Sequence, residues 1–518
     1  MFTKDIKDTK ISKFSVLSVV SGKIIITFVA VMIILGIVLA YFAILFGISR
    51  LTSRRADNQT FYRANRRAPW YMVAFGMVGA SISGVTFVSV PGMVLTSQMT
   101  YLQMCLGFIV GYLVIAFVLL PLYYRLNLTS IYTYLGQRLG EHSYLTGASF
   151  FLLSKMTGAA VRFYVVCIIL QQFVFEPAGI PFIVNVVGMV LLIWLYTRRG
   201  GIGTLVFTDS FQTLCLFTAL IMIILSVIDH LHLSVGEAIN TIAQSEMSRI
   251  FVFDDWMSPH NFWKQFLSGA FIAIVMTGLD QDMMQKNLSC ENLKSAQKNM
   301  TLTAVLLLLI NTLFLILGVL LIYYSDRNNM TLPDKSDAIF STIALSANGV
   351  SAVLFIVGLV AAGFSSADGS LTSLTTSFCI NILDFEKNTA RSEKRKTGIR
   401  KSVHVVFAFL FFLIIVVFKP FHSDSIISTI FKIAGFTYGP LLGMFSFGMI
   451  MKERSVYDRA VPYIAIISPV ASFFMDRYSE NLLFGYHFGY EIMLLNALLT
   501  FIGLLIFSKK CPAKQKKQ

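Results

Sequence analysis

The fold of this chain is decided by residues 76–92, which read GMVGASISGVTFVSVPG. Glycine, alanine, serine and threonine crowd the middle of an otherwise apolar run, between Gly76 and Thr86. Small residues let membrane helices pack closely against each other. The same composition suits a helix that is interrupted at mid-depth, where freed carbonyl oxygens coordinate an ion. The stretch therefore predicts either a closely packed helix or a broken one.

A second cluster of small and hydroxyl residues lies at 361–372, which read AAGFSSADGSLT. Ala362, Ser365 and Ser366 are spaced i, i+3, i+4 and share one face of a helix. Two hydroxyls beside a carbonyl form a neutral set of hard oxygens. That set suits a monovalent alkali cation better than zinc, which prefers nitrogen and sulfur ligands. The alternative is that these serines bond back to the preceding helical turn.

The composition places both clusters in a membrane protein. Of 518 residues, 56% are hydrophobic and 13% are charged, and the mean hydropathy is +0.72. These values exclude a large soluble enzyme and a disordered chain. Apolar runs long enough to cross a bilayer predict an all-α polytopic membrane protein with about thirteen transmembrane helices. The runs lie near 24–48, 70–96, 100–122, 144–172, 181–197, 204–228, 262–284, 301–324, 350–383, 402–418, 425–451, 460–475 and 489–508.

The net charge of +15 is distributed unevenly along the chain. Lysine and arginine concentrate in every second connection, most densely in 50–67 and 387–401. Because basic connections stay in the cytoplasm, we expect an outside N-terminus and a cytoplasmic C-terminus in the plasma (inner) membrane. The basic charge is thus explained by topology and by contact with the lipid bilayer, and nucleic acid is not an expected partner. The oligomeric state is left open.

Each charged residue inside an apolar run requires an explanation, because placing one charged side chain in the middle of a membrane helix costs about 2.5–3.5 kcal/mol. They are Lys155, Arg162, Asp209, Asp280, Asp282 and Asp368. Arg162 lies near mid-span with no acid within one helical turn. One interpretation pairs it with an acid on another helix, such as Asp209 or Asp368. The other has it receive a substrate carboxylate through bidentate hydrogen bonds.

The sequence lacks the motifs of a membrane enzyme. It contains no HExxH, no GxSxG and no nucleotide-binding loop, and its seven histidines do not cluster. The six cysteines form no CxxC pair, so a disulfide framework or zinc site is not expected. We therefore expect a transporter without a catalytic site or organic cofactor. A transporter-like solute sensor is the alternative from another class.

Four segments together resemble one known family, the sodium/solute symporters. This family includes sodium-coupled sugar, proline, iodide, monocarboxylate and sialic acid transporters. The matching segments are 80–92, 201–212 with its Gly-Gly…Thr-Asp…Gln pattern, 278–289 with Asp-Gln…Gln-Lys…Leu-Ser, and 364–371. Lys286 stands where the family signature has arginine. The resemblance extends over roughly residues 24–508.

The resemblance implies a single membrane transport domain, 1–518, with a leucine-transporter-like fold. Its core would be an inverted 5+5 helix repeat with broken helices, the first half at 70–228 and the second at 262–451. An extra N-terminal helix at 24–48 and C-terminal helices at 460–508 would flank the repeat. The implied function is secondary active transport, in which a small organic solute moves with sodium by alternating access.

The resemblance also implies sites. Sodium would bind the carbonyls of Gly79, Ile82 and Ala362 and the hydroxyls of Ser365 and Ser366. A second cation would lie near Asp209 and Asp368. Some relatives have hydroxyl residues at two further positions, which are Asp368 and Gly369 here. Asp368 would therefore keep a cation, pair with Arg162 or carry a proton.

The implied solute residues lie on the interrupted segment and its neighbours. They are Ser81, Ser83, Thr86 and Gln103, with Cys105 taking the place of Gln103 in a gapless alignment. Arg162 is added to them as the mid-span cation that would receive a carboxylate, because it does not align securely with the arginine of the sialic acid branch. Hydroxyls and an arginine suit an anionic solute, such as a carboxylate or a sialic-acid-like molecule. A neutral sugar or amino acid carried with sodium or protons is the alternative.

Overall fold

A computed structural model describes residues 36–54, 56–333, 336–347, 349–385, 392–418, 426–482, 486 and 488–510. These residues form helices joined by short connections, together with strands β1 (Arg454–Val456) and β2 (Ser508–Lys510), which pair antiparallel. The first ten helices are α1 Gly36–Thr52, α2 Asn58–Arg63, α3 Trp70–Ser81, α4 Gly84–Ser97, α5 Tyr101–Arg125, α6 Thr133–Arg138, α7 Glu141–Phe175, α8 Phe182–Gly200, α9 Ile202–His230 and α10 Val235–Gln244. The rest are α11 Phe262–Gly278, α12 Gln281–Asn287, α13 Leu293–Arg327, α14 Ser336–Ala347, α15 Gly349–Ile382, α16 Glu393–Phe418, α17 Ile426–Ile450, α18 Val461–Arg477, α19 Ser479–Leu482 and α20 Ile492–Ile506.

Eight of the described helices are long and apolar enough to cross a membrane, and the count rises to ten if each of two bent helix pairs is one span. The all-helical membrane fold is therefore confirmed, whereas the predicted number of thirteen spans is not. Of the three remaining apolar runs, 460–475 and 489–508 correspond to the shorter helices α18 and α20. At 1.5 Å per residue, α20 with 15 residues is shorter than the hydrocarbon core of a bilayer. The first run is described only from residue 36 onward.

The two bent pairs are the main irregularity of the bundle. Helices α3 and α4 meet at 63°, and α11 and α12 meet at 71°. The first bend lies in the stretch that the sequence marked as closely packed or broken, so the broken helix is the correct alternative. The second bend lies at residues 279–280, where we expected a continuous span ending near Asp282. Each bent pair opens one of the two predicted repeat halves.

Helix α15 is the central element of the bundle. It packs against α3, α4, α7 and α9, and every residue from Gly358 through Ser377 is buried. A helix that is buried on all sides can carry polar residues only if they meet partners or ligands inside the protein. The hydroxyl cluster at 365–377 therefore faces protein rather than lipid.

Glycines set how closely the helices around the bends approach each other. A Cβ atom built at Gly107 on α5 would overlap the carbonyl oxygen of Phe266 on α11. A Cβ atom built at Gly269 would overlap the carbonyl oxygen of Met104 in the same way. This backbone-to-backbone packing is typical of membrane helices with small residues at the interface. It holds α11, the first helix of the second bent pair, against α5.

Candidate functional site

The first helix break begins where α3 ends at Ser81. Ile82 (φ −88°, ψ 95°) and Ser83 (φ −77°, ψ 167°) are extended, and α4 starts at Gly84. The Ser83 side chain caps α4 by accepting a hydrogen bond of 3.4 Å from the amide of Thr86. Serine is a favoured residue at a helix N-cap. The last carbonyls of α3 therefore have no following turn to donate to them.

The second helix break is built differently. Asp280 caps α12 by accepting hydrogen bonds from the amides of Asp282 (2.9 Å) and Met283 (3.2 Å). The carbonyl oxygens freed at this break, those of Gly278 and Leu279, each accept a tyrosine hydroxyl at 3.0 Å. The donors are Tyr123 and Tyr132.

The carbonyls of the first break have no such side-chain donors. Among the described residues, no side chain donates a hydrogen bond to the carbonyl oxygen of Gly79, Ala80, Ser81 or Ile82. Buried backbone carbonyls are nearly always paired with protein or water. The two breaks therefore differ: among the described residues, side chains satisfy the freed carbonyls of the second break but not those of the first.

Helix α15 lies directly against the first break. A Cβ atom built at Gly79 would lie 3.2 Å from the Ser365 hydroxyl oxygen. A Cβ atom built at Gly84 would lie 3.6 Å from the Cα atom of Gly363. The Ser365 hydroxyl is buried beside the carboxylate of Asp209 but forms no hydrogen bond of good geometry with a described residue. Ala362 lies one turn before it and is fully buried.

The sequence-predicted sodium residues are therefore on adjacent elements. Gly79 and Ile82 come from the break, and Ala362, Ser365 and Ser366 from α15. Thr213 on α9 also adjoins this site, because a Cβ atom at Gly79 would overlap its hydroxyl oxygen. The sequence pattern alone does not assign Thr213 to the site. Its position one turn after Asp209 on the same helix face was the available signal.

A cavity opens beside the first break. Its volume is about 130 Å³, and it opens to solvent. Aromatic and aliphatic side chains from α5, α11 and α17 form much of its wall. Its hydroxyl and charged lining residues include Ser81, Ser83, Thr86, Ser366, Lys155, Arg162 and Asp280.

Arg162 lines this cavity without an ion-pair partner among the described residues. The two acids expected as alternative partners are engaged elsewhere. Asp209 lies 2.8 Å from the ammonium of Lys286. Asp368 accepts hydrogen bonds from the hydroxyl of Tyr196 at 2.7 Å and from the amide of Gly369 at 2.6 Å. Among the described residues, the guanidinium thus faces the cavity without a direct ion pair, with Asp280 and Asp282 as the acids in its surroundings.

Five further buried charged residues form what we call the charge chain, which in order of contact is Asp280, Lys155, Asp282, Lys286 and Asp209. The ammonium of Lys155 lies 3.2 Å from Asp280 Oδ1 and 2.9 Å from Asp282 Oδ2. The ammonium of Lys286 lies 2.8 Å from Asp209 Oδ2 and 3.8 Å from Asp282 Oδ1. Signs alternate along the chain, as buried charges require. It runs from the cavity wall to the helix beside the first break.

Gln103 lies outside the cavity lining. Its amide donates to the carbonyl of His260 at 2.9 Å, and its side-chain oxygen accepts the amide of Val252 at 3.1 Å. It is fully buried and fastens the 245–261 connection to α5. The structure therefore assembles Ser81, Ser83, Thr86 and Arg162 around one cavity but not Gln103. Cys105 is likewise buried away from it.

Comparison with known protein families gives one match over most of the chain. The family model described as "Sodium:solute symporter family" matches residues 61–455. This range contains both helix breaks, the charge chain and α15.

Comparison with characterised sequences finds several transporters. The sodium/sialic acid symporter SiaT of Proteus mirabilis is 25% identical over 457 residues, which cover 84% of this chain and 87% of that protein. The sodium/sialic acid symporter NanT of Aliivibrio fischeri is 25% identical over 427 residues, covering 80% and 82%. The human sodium/iodide cotransporter is 24% identical over 419 residues, covering 78% and 63%.

Comparison with solved structures identifies the fold. A substrate-bound, outward-open Na⁺-coupled sialic acid symporter superimposes with a TM-score of 0.79 at 23% identity, covering 92% of this chain and 97% of that one. Mhp1, a nucleobase-cation-symport-1 family transporter in a closed conformation, gives 0.55 at 12% identity, covering 87% and 93%. At these identities the likeness concerns the fold.

Proposed function

The chain belongs to the sodium:solute symporter family, and from this premise we propose that it carries an acidic, sialic-acid-like solute together with sodium. Membership makes it a multi-pass membrane transporter rather than an enzyme, with sodium as the coupling ion. The observation that carries the choice of an acidic solute is the unpaired guanidinium of Arg162 in the cavity wall.

The charge of the cavity favours an anion over a neutral solute. Lys155 also faces the cavity, but its ammonium is held by Asp280 and Asp282. Arg162 is left with donors for a carboxylate, which a guanidinium binds through two parallel hydrogen bonds. A buried cation without a direct ion pair is only partly compensated by more distant acids, and a bound carboxylate would complete that compensation. Binding is therefore tied to the negative charge of the solute.

The hydroxyls of the break supply the second part of solute recognition. Ser81, Ser83 and Thr86 line the same cavity, and the Ser81 hydroxyl is buried without a partner among the described residues. Hydroxyl groups both donate and accept hydrogen bonds, which suits a polyhydroxylated molecule. The two sialic acid symporters among the relatives support a sugar acid as the solute.

Sodium binds, in this proposal, between the first break and α15. The ligands are the carbonyl oxygens of Gly79, Ile82 and Ala362 and the hydroxyl oxygens of Ser365 and Ser366. The free carbonyls of the break and the Ser365 hydroxyl, which forms no hydrogen bond of good geometry with a described residue, support this assignment. All five are neutral oxygens, as the sequence pattern predicted, and unwound carbonyls of this kind hold sodium in transporters with broken helices.

Sodium and solute are coupled because they share the broken segment. A sodium ion that bridges the break to α15 holds Ser81 and Ser83 in the cavity wall, so it lowers the cost of ordering the solute site. By reciprocity, the solute raises sodium affinity by the same factor. The protein then closes on the outer side of the occupied site and opens on the inner side, which completes the transport cycle.

The arrangement of the chain in the membrane follows from the same proposal. Residues 70–228 and 262–451 are the two inverted halves, each beginning with a bent helix pair. Residues 24–48 and 460–508 flank these halves. The basic connections face the cytoplasm of the plasma (inner) membrane, which places the N-terminus outside and the C-terminus inside.

A solute panel tests the proposal. Purified protein in liposomes with an inward sodium gradient is given labelled N-acetylneuraminate, a hexose, a neutral amino acid and a short monocarboxylate. We expect N-acetylneuraminate to accumulate, and its methyl ester, which lacks the carboxylate, to compete at least about tenfold more weakly because a charged hydrogen bond contributes about 1.5–3 kcal/mol. Accumulation of the hexose or the amino acid in preference to every acid would contradict the proposal.

A further inference from the structure

Asn311 is a polar residue of the cavity wall that belongs neither to the proposed sodium site nor to the charge chain. It lies near the middle of α13, is 3% exposed and lines the same cavity as Arg162. A polar side chain this deep in a membrane helix needs a hydrogen-bond partner for each of its polar atoms. The partners of its nitrogen and its oxygen therefore indicate what Asn311 does.

Within the described residues, only the amide nitrogen of Asn311 is engaged. Its Nδ2 donates to the carbonyl oxygen of Leu307, one helical turn back, at 2.7 Å. Its Oδ1 is buried and has no hydrogen-bond partner among the described residues. The two atoms cannot be exchanged, because an amide oxygen has no proton to donate to the carbonyl of Leu307. The free atom of Asn311 is therefore an acceptor.

A second asparagine on the same helix illustrates a purely structural role. Asn299 donates to the side-chain oxygen of Asn287 at 2.7 Å, and its own oxygen accepts the hydroxyl of Thr303 at 3.4 Å. The protein thus satisfies both polar groups of Asn299, and Asn299 does not line the cavity. Asn311 differs from it by combining a place in the cavity wall with an unused acceptor.

Asn311 and Arg162 reach the cavity from different helices. Arg162 lies on α7 and Asn311 on α13, and both helices pack against α4. The guanidinium of Arg162 has only donors, whereas the free atom of Asn311 can only accept. A carboxylate satisfies the first residue but not the second, which needs a hydroxyl or an amide N–H. Together they fit a molecule that carries an acid group and, apart from it, a hydrogen-bond donor.

We infer that Asn311 is a specificity-determining residue that accepts a hydrogen bond from a hydroxyl or amide N–H group of the solute. The inference rests on the proposed function and narrows its solute class. The solute binds with its carboxylate at Arg162 and its donor-bearing part at Asn311. An acid without such a donor leaves Oδ1 unpaired in the occupied cavity, and a site built to hydrogen-bond its substrate discriminates against such analogues. The protein thus selects hydroxylated or N-acylated acids over simple monocarboxylates.

Binding of two acids to purified protein in sodium buffer tests the inference. N-acetylneuraminate carries hydroxyl and amide donors, whereas propionate carries only its carboxylate. Asn311→Leu removes the acceptor at similar side-chain size, so its affinity for labelled N-acetylneuraminate is expected to fall about tenfold. Propionate, measured as a competitor, is expected to bind the wild-type protein more weakly than N-acetylneuraminate and to lose no affinity in Asn311→Leu.

Thr312→Val is the matched control on α13. The Thr312 hydroxyl donates to the carbonyl of Leu308 at 2.8 Å, and Thr312 does not line the cavity, so this variant should keep wild-type affinity for N-acetylneuraminate. Asn311→Ala replaces Asn311→Leu if the leucine variant does not fold. Binding of ²²Na⁺ without solute should be unchanged in every folded variant, whereas a general disturbance of the bundle would weaken it.

The outcomes separate this inference from the proposed function. Wild-type uptake of N-acetylneuraminate with unchanged affinity in the folded Asn311 variant, or with equal losses for both acids, would overturn the inference alone. Wild-type uptake of a hexose and of no acid would overturn the proposed solute class. The same variant would then test the acceptor on the hexose: an affinity loss of about tenfold would support the role of Asn311, and unchanged affinity would overturn it.

Discussion

Replacing Arg162 by glutamine is expected to abolish uptake of an acidic solute while the protein still folds and inserts. The guanidinium faces the cavity without an ion-pair partner among the described residues, so glutamine breaks no ion pair of the bundle. The bound carboxylate, however, loses its counter-charge, which costs about 3–5 kcal/mol for a buried pair. Since 1.4 kcal/mol is a factor of ten, solute affinity should fall at least about 100-fold.

Uptake and direct binding of labelled acid to purified Arg162→Gln measure this effect. Arg162→Lys keeps the charge but not the two-pronged geometry and should give an intermediate loss. Arg125→Gln removes an arginine at the exposed end of α5 and should leave uptake unchanged. Normal affinity for the acid in Arg162→Gln would show that this residue has a structural role.

Replacing Ser365 and Ser366 together by alanine is expected to remove sodium stimulation of uptake. Both hydroxyls are proposed sodium ligands, and a hydrogen-bond-like contact to a charge contributes about 1.5–3 kcal/mol. The loss of two should raise the sodium concentration for half-maximal uptake at least about 100-fold. The yield of folded protein should change little, because the Ser365 hydroxyl forms no hydrogen bond of good geometry with a described residue.

The same helix provides a matched control for the serine pair. The hydroxyl of Ser370 donates to the carbonyl of Ser366 at 2.7 Å, and that of Ser373 donates to the carbonyl of Ser370 at 3.0 Å. These serines bond back to the preceding turn, as hydroxyls in helices commonly do. Ser370→Ala with Ser373→Ala should therefore keep sodium stimulation. An equal loss of sodium stimulation in both double variants would show that Ser365 and Ser366 have the same structural role as Ser370 and Ser373.

The first helix break could be predicted from the sequence because local chemistry determines it. Glycine, serine and threonine lie together at 79–86, and Ser83 is a favourable N-cap for the half-helix that follows. The face shared by Ala362, Ser365 and Ser366 also follows from helical spacing alone. These features need no knowledge of distant contacts, and the structure shows both.

The sequence does not predict the second break, because residues 279–280 lie within the apolar run 262–284. Mean hydropathy depends on side-chain polarity and not on where the backbone leaves the helix, so it predicts one span over 262–284. The signal was present in Asp280, since aspartate is a strong N-cap. The hydroxyls that satisfy its freed carbonyls come from Tyr123 and Tyr132, far away in sequence, which spacing alone does not reveal.

The partners of the buried charges also depend on tertiary contacts. Lys155 and Arg162 share a helix face and both line the cavity, yet Lys155 is held by two acids whereas Arg162 forms no ion pair among the described residues. The sequence left both interpretations of Arg162 open for this reason. Gln103 was placed near the solute by its position on α5, but the path of the 245–261 connection determines its partners.

The most direct test of sodium coupling imposes sodium and proton gradients separately on liposomes that contain the purified protein. The account predicts that an inward sodium gradient at equal pH drives the acidic solute above its equilibrium distribution. It also predicts that a proton gradient in sodium-free choline buffer drives no accumulation. Accumulation driven by the proton gradient without sodium would contradict an alkali-ion site at the first helix break.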